Sequence, residues 1–218
     1  MSAAGKRLAP GVYAVTDCER LPFEETLRRS EAILAAGVSA LQYRDKIPDR
    51  NVRLERASRL LALCRRYHTP MIVNDDPDLA LEAGADGVHV GEEDASCRAA
   101  RERLGPDALV GVSCYDSLDA ALQAQGAGAD YVAFGAFFPT ATKAPRARAT
   151  PDLLRAAAAR LELPIAAIGG ITAANARPLV AAGASLLAVV SALYGREDPG
   201  AAAREFAPLF AASRCEHG

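Results

Sequence analysis

A single eight-stranded β/α barrel is the fold that this sequence predicts, and three observations predict it. Short β-rich runs, several almost continuously apolar, recur from one end of the 218-residue chain to the other, as parallel strands covered on both faces require. Helical patterns lie between them, many closed by glycine ("AAGVSA", "EAGADG", "GAGADY", "AAGASL"), the residue preferred just past a helix end. Eight strand–helix units fit in about 200 residues, the small end of the range for such barrels. A doubly wound sheet is the rival, but its first strand usually runs into a glycine-rich phosphate loop. Here that strand ends "VTD".

Taken in order, the first strand is "GVYAVT" from Gly11, and "EETLRRSEAILAAG" follows as an amphipathic helix. "SALQYR" from Ser39 leads into "RLERASRLLALCRRYH", where His68 falls at the helix end and its charge suits the dipole. "PMIVN" from Pro70 precedes the helix "DLALEAG", whose start carries Asp76-Pro77, a capping side chain followed by proline. "GVHVG" from Gly87 leads to "SCRAARERLG", which either Asp94 or Ser96 can cap. "LVGVS" from Leu109 precedes "LDAALQAQGAG", and "YVAFG" from Tyr131 precedes a helix that opens on Thr150-Pro151. "PIAAIG" from Pro164 is followed by Thr172 as the expected cap of the next helix. "LLAVVS" from Leu186 is the last strand, before Asp198-Pro199 starts the final helix. No linker or composition shift divides the chain, so residues 1–218 read as one domain, with the barrel over about 10–212 and a tail at 213–218.

Bulk properties exclude several functions. Half the residues are apolar and 24% are charged, so a core can form. A net charge of -2 lacks the basic excess of a nucleic-acid binder. There is neither a run long enough to span a membrane nor a signal-peptide pattern. Five scattered cysteines without a CxxC pair support neither zinc nor a disulfide framework, and imply reduced thiols in the cytoplasm. His89 in "GVHVG" is the one histidine placed to line a site.

Barrel chemistry collects at the C-terminal strand ends, and here three sectors emerge. In "QYRDK", Gln42, Arg44 and Lys46 alternate and project to one side. An arginine fork and a lysine beside an amide suit a phosphate or diphosphate. The plainer reading is a polar strand end with solvated charges. Asp45, on the opposite side, reads as structural. After the third and fourth strands stand carboxylates: Asp76 is taken as a cap, but Asp75 has no structural role in the sequence, and Asp94 follows the next strand. Carboxylates just past adjacent strands, about 4.8 Å apart, can share a hard cation with substrate phosphates. The third sector is "AIGGIT" with Val190-Ser191, where Gly169 and Gly170 let backbone approach a monophosphate.

Six stretches together resemble the thiamine-phosphate synthase family across nearly the whole chain. They are "LQYRDK", "VNDDPDLALEAGADGVHVGEED", "VGVSCY", "YVAFGAFFPTATK", "AIGGIT" and "VVSALY". The resemblance implies a transferase that joins a pyrimidine diphosphate to a thiazole phosphate. It assigns Gln42, Tyr43, Arg44, Asp45, Lys46, Asn74, Ser113 and Lys143 to the pyrimidine diphosphate, with Arg44, Lys46, Lys143 and Ser113 serving catalysis. It assigns Thr140, Ala141, Thr142, Gly170, Val190 and Ser191 to the thiazole phosphate, and Asp75 and Asp94 to Mg²⁺. Its implied partners are small phosphorylated substrates, with neither nucleic acid nor membrane, and a homo-oligomer is compatible with it. Glu92 departs from the family, which often has glutamine there, and Arg146 and Arg148 receive no role. Alternatives are a thiazole tautomerase on the same barrel, or a non-catalytic barrel that binds phosphorylated ligands.

Overall fold

Every strand runs parallel to its neighbours, because each is returned by a helix to the same edge of the sheet. The computed structural model describes residues 8–91, 96–140 and 148–211. Its strands are β1 (Gly11–Val15), β2 (Ala40–Tyr43), β3 (Met71–Asn74), β4 (Gly87–Val90), β5 (Leu109–Tyr115), β6 (Tyr131–Gly135), β7 (Ile165–Ile168) and β8 (Leu186–Val189). They close into one barrel in sequence order, β8 pairing back onto β1. The helices are α1 (Phe23–Ala35), α2 (Arg50–Arg66), α3 (Pro77–Ala83), α4 (Cys97–Leu104), α5 (Leu118–Gly126), α6 (Pro151–Ala158), α7 (Arg177–Ala181), α8 (Ser191–Tyr194) and α9 (Pro199–Arg204). The expected barrel is the observed one. The 213–218 tail lies outside the described residues.

Capping follows the expected chemistry with one exception. The Asp76 carboxylate accepts from Leu79 N–H at 2.9 Å, Thr150 caps α6 and Asp198 caps α9. Ser96 Oγ accepts from Ala99 N–H at 3.2 Å and so caps α4, which relieves Asp94 of that duty. Such caps are worth about 1 kcal/mol each. Thr172 does not cap the helix after β7. Its N–H donates to Asn175 Oδ1 at 2.8 Å, Asn175 Nδ2 donates to the Gly170 carbonyl at 3.0 Å, and α7 begins only at Arg177 without a side-chain cap. Asparagine closed the turn locally and delayed the helix by several residues.

Strand alternation sorts side chains into two cores. Val12 and Ala14 of β1 face the helices, while Tyr13 and Val15 face the barrel axis. The axial core mixes small residues (Ala40, Ala133, Ala166, Ala188) with two large ones, Tyr13 and Tyr131. These two rings meet edge to face, centroids 5.7 Å apart at 82°, the favoured arrangement for aromatic pairs. Gly111 of β5 makes this packing feasible: a Cβ there would lie 2.0 Å from Tyr131 Cζ. Ala133 and Ala188 border the open space at the C-terminal strand ends.

Candidate active site

The C-terminal strand ends surround a cavity of about 380 Å³. It contains Gln42, Arg44 and Lys46 from the β2 side, as alternation requires, and Asn74 and Asp75 after β3. Ser113 of β5 and Thr140 after β6 line the next wall. Gly169 and Gly170 after β7, with Val190 and Ser191 after β8, complete the circle. The described residues Gln42, Arg44, Lys46, Asp75, Gly169, Gly170, Val190 and Ser191 of the three sectors therefore open into one space. Asp94, Ala141, Thr142 and Lys143 lie outside the described residues, as do Glu92 and Arg146. Arg148 is described and does not line the cavity.

Local bonds hold the charged residues at the rim. Arg44 lies past the last β2 residue, yet its backbone is fixed: Thr16 Oγ1 accepts its N–H at 2.8 Å and donates to its carbonyl at 3.1 Å. Thr16 is itself buried after β1. The Arg44 guanidinium pairs with Glu19. Lys46 Nζ meets Asp75 Oδ2 at 2.9 Å, with side chains 51% and 30% exposed, so this pair faces solvent and any ligand. Asp75 adopts a left-handed backbone, φ +65°, and donates its N–H to the His89 carbonyl at 2.8 Å. Aspartate tolerates that conformation better than most residues, and the bond ties it to the end of β4.

The resemblance placed Tyr43 and Asp45 at the ligand too, but their side chains turn toward α2. The Asp45 carboxylate is only 3% exposed; it pairs with Arg56 at 2.8 Å and accepts from Ile47 N–H at 3.0 Å and Tyr43 Oη at 3.1 Å. The strand period decides this, as the alternation argument held for Asp45. Asp45→Ala should destabilise the fold by about 2–4 kcal/mol, because it strands a largely covered guanidinium and a backbone N–H. Urea unfolding measures that loss, and turnover per folded molecule should change little because neither side chain reaches the cavity.

His89 lines the cavity, as its place in "GVHVG" suggested, but sequence reasoning missed the polar network in the cavity floor to which it belongs. Gln42 Nε2 donates to Tyr13 Oη at 2.9 Å, and Tyr13 Oη lies 2.8 Å from Tyr131 Oη. Tyr131 Oη lies 3.0 Å from His89 Nδ1, and His89 Nε2 lies 2.9 Å from Ser113 Oγ. Burial pushes the His89 pKa down to about 4 and both phenols well up, so all three are neutral near pH 7. The available signal was the tyrosine at an inward position of β1 and the one at the start of β6, whose polar tips need partners once buried. The four described cysteines are free thiols. Burial raises Cys18 to about 11 and Cys64 and Cys114 to about 12, which makes them poor nucleophiles.

The arrangement suits binding of anions beside a flat polar ring more than it suits nucleophilic catalysis. No group of three or more His, Cys, Asp or Glu side chains fit for a metal occurs among the described residues, so a cation here needs ligand or solvent oxygens, or the undescribed Asp94.

Comparison with known proteins narrows the chemistry. A family model described as thiamine monophosphate synthase matches residues 12–193. The chain is 57% identical over 206 residues to thiamine-phosphate synthase from Thiobacillus denitrificans, covering 93% of this chain and 95% of that one. It is 50% identical over 204 residues to the same enzyme of Methylococcus capsulatus, covering 94% and 91%. Among solved structures, thiamine phosphate pyrophosphorylase from Pyrococcus furiosus superposes with a TM-score of 0.82 at 34% identity, over 91% of this chain and 94% of that one.

Proposed function

The chain belongs to the thiamine monophosphate synthase family, and from that premise we propose how its cavity works. The enzyme is a transferase. It joins 4-amino-2-methyl-5-(diphosphooxymethyl)pyrimidine to 4-methyl-5-(2-phosphooxyethyl)thiazole, giving thiamine phosphate and pyrophosphate. One observation carries the reading of the site: Gln42, Arg44, Lys46, Asp75 and Ser113 line the same cavity that Gly170 after β7 and Ser191 after β8 also line. Two anionic substrates thereby have separate walls within one space.

The bond that breaks joins the pyrimidine methylene to the diphosphate oxygen, and its electron pair leaves with pyrophosphate. The bond that forms takes the lone pair of the thiazole nitrogen. That nitrogen has no proton to lose, so no general base is needed. This matches a cavity whose histidine is neutral and engaged on both ring nitrogens. Gln42 and Ser113 hold the pyrimidine ring, whose amino group feeds electrons to the methylene carbon as the leaving group departs. Arg44 and Lys46 offset the negative charge that builds on pyrophosphate, with Lys143 joining them. Thr140, Ala141, Thr142, Gly170, Val190 and Ser191 bind the thiazole phosphate and aim its ring at the same carbon, and alignment of the two reactants supplies further rate.

Mg²⁺ fits the donor chemistry. The Asp75 carboxylate is a hard oxygen ligand at the cavity edge, it is free of capping duty because Asp76 and Ser96 serve the neighbouring helices, and only one of its oxygens meets Lys46. With Asp94 it would hold the ion, which when bound supplies positive charge to the diphosphate. A cytoplasmic location agrees with the free thiols, and no helix among the described residues is long and apolar enough to cross a membrane.

Incubating the protein with both substrates, with and without EDTA, tests the proposal. Thiamine phosphate and one equivalent of pyrophosphate are expected with Mg²⁺, and neither with EDTA. Absence of product with metal present would overturn it.

A further inference from the structure

We propose that the hydrogen-bond chain from Gln42 to Ser113 runs one way through the barrel floor, and that its direction selects an aminopyrimidine over its 4-oxo counterpart. The inference rests on the reading of the cavity as a pyrimidine site.

The direction follows from counting protons. The amide nitrogen of Gln42 has hydrogens only to give, so Tyr13 Oη accepts from it. A phenol has one proton; with Tyr13 accepting from Gln42, the arrangement that leaves no buried hydroxyl proton unpaired sends it to Tyr131 Oη, 2.8 Å away. Tyr131, accepting there, passes its own proton toward His89 Nδ1. A neutral imidazole with Nδ1 accepting carries its hydrogen on Nε2, which donates to Ser113 Oγ. Ser113, accepting from below, has its hydroxyl proton left for the cavity. At the other end, one of the two Gln42 amide hydrogens goes to Tyr13, which anchors the nitrogen end of the amide at the floor and leaves Oε1 to accept. The cavity thus presents an acceptor on the β2 side and a donor on the β5 side.

An aminopyrimidine meets both demands. Its exocyclic amine donates to Gln42 Oε1 and a ring nitrogen accepts from Ser113. A 4-oxo ring would set its carbonyl lone pairs against Oε1. Accommodating it requires turning the Gln42 amide, which requires Tyr13 to donate in its place, then Tyr131 and His89 to reverse, until Ser113 accepts. Tyr13, Tyr131 and His89 are buried, so the links reverse together or leave a polar atom unpaired, and that coupling makes rejection strong. These three are positioning residues, acting on the substrate through Gln42 and Ser113.

The test compares kcat/KM for the amino substrate and for its 4-oxo analogue, in the unaltered enzyme and in Tyr131→Phe, which keeps the ring that Gly111 accommodates and removes the middle link. The unaltered enzyme should favour the amino substrate by about 1,000-fold or more, and Tyr131→Phe should lower that ratio at least about tenfold. General damage to the fold depresses both substrates alike and leaves the ratio unmoved, so an unchanged ratio overturns the proposal. If Tyr131→Phe does not fold, Tyr13→Phe breaks the adjoining link and the same ratio decides. Nitrogen-15 NMR of His89 should show Nδ1 without a proton; a protonated Nδ1 overturns the stated direction. An unaltered enzyme that makes no thiamine phosphate would instead sink the functional reading, which separates the two failures.

Discussion

Asp75→Asn should lower kcat by about 100-fold or more and raise the Mg²⁺ concentration needed for half-maximal rate, while leaving the fold intact. Removing one preorganised electrostatic contact to developing charge costs roughly 100- to 1,000-fold in enzymes of comparable logic. The fold should survive for reasons that are local. The backbone bond from Asp75 N–H to the His89 carbonyl does not involve the side chain. Asparagine accepts the left-handed backbone, φ +65°, as readily as aspartate. The ion pair to Lys46 is solvent-exposed on both sides, where such pairs contribute about 0–1 kcal/mol. Thermal melting should therefore shift by no more than about 2–4 °C. Steady-state kinetics over a Mg²⁺ series decides the matter. A variant that melts much lower yet keeps its rate and metal dependence would make Asp75 a structural residue and remove the basis of the metal site.

That prediction depends on a distinction already visible in the sequence. "NDDP" contains two adjacent aspartates, and only the one before proline has a capping role, so Asp75 was left for another use. Ser96 resolved the matching ambiguity at α4 in the same sense. Periods and caps are local properties, written in spacing of a few residues, which is why the strands, most helix starts and the side of β2 that faces the cavity were legible. Thr172 was misread because two turn-forming residues competed within four positions and Asn175 closed the turn first. The floor network was illegible for another reason. Tyr13 and Tyr131 are 118 positions apart, and no local pattern records that barrel closure will bring their hydroxyls together. The same holds for Thr16 gripping the Arg44 backbone from the neighbouring strand end. Tyr43 and Asp45 show the reverse case: the stretch resembles a ligand-binding motif as a whole, and only strand alternation tells which of its side chains face the cavity.

Gly170→Ala should raise KM for the thiazole phosphate at least about tenfold and lower the melting temperature by several degrees. Two costs combine at this position. The backbone sits at φ +63°, where a Cβ costs about 1–2 kcal/mol. That Cβ would also lie 2.4 Å from the Pro139 carbonyl oxygen and 2.8 Å from Phe138 Cβ, contacts that backbone cannot relieve by a rotamer change. The segment that must yield is held to the β7 end by Phe137 N–H to the Ile168 carbonyl at 3.2 Å and Phe138 N–H to the Gly169 carbonyl at 3.0 Å. Moving it displaces Thr140, which immediately follows Pro139 and lines the cavity. The damage should thus concentrate on the wall assigned to the thiazole phosphate and spare Gln42, Lys46 and Ser113 across the cavity. KM for the pyrimidine diphosphate, measured at saturating thiazole phosphate, should move less than about threefold, since a 1 kcal/mol change in binding is about a factor of five. Equal increases in both KM values would show that Gly170 serves the barrel as a whole, and the division of the cavity into two walls would fail with it.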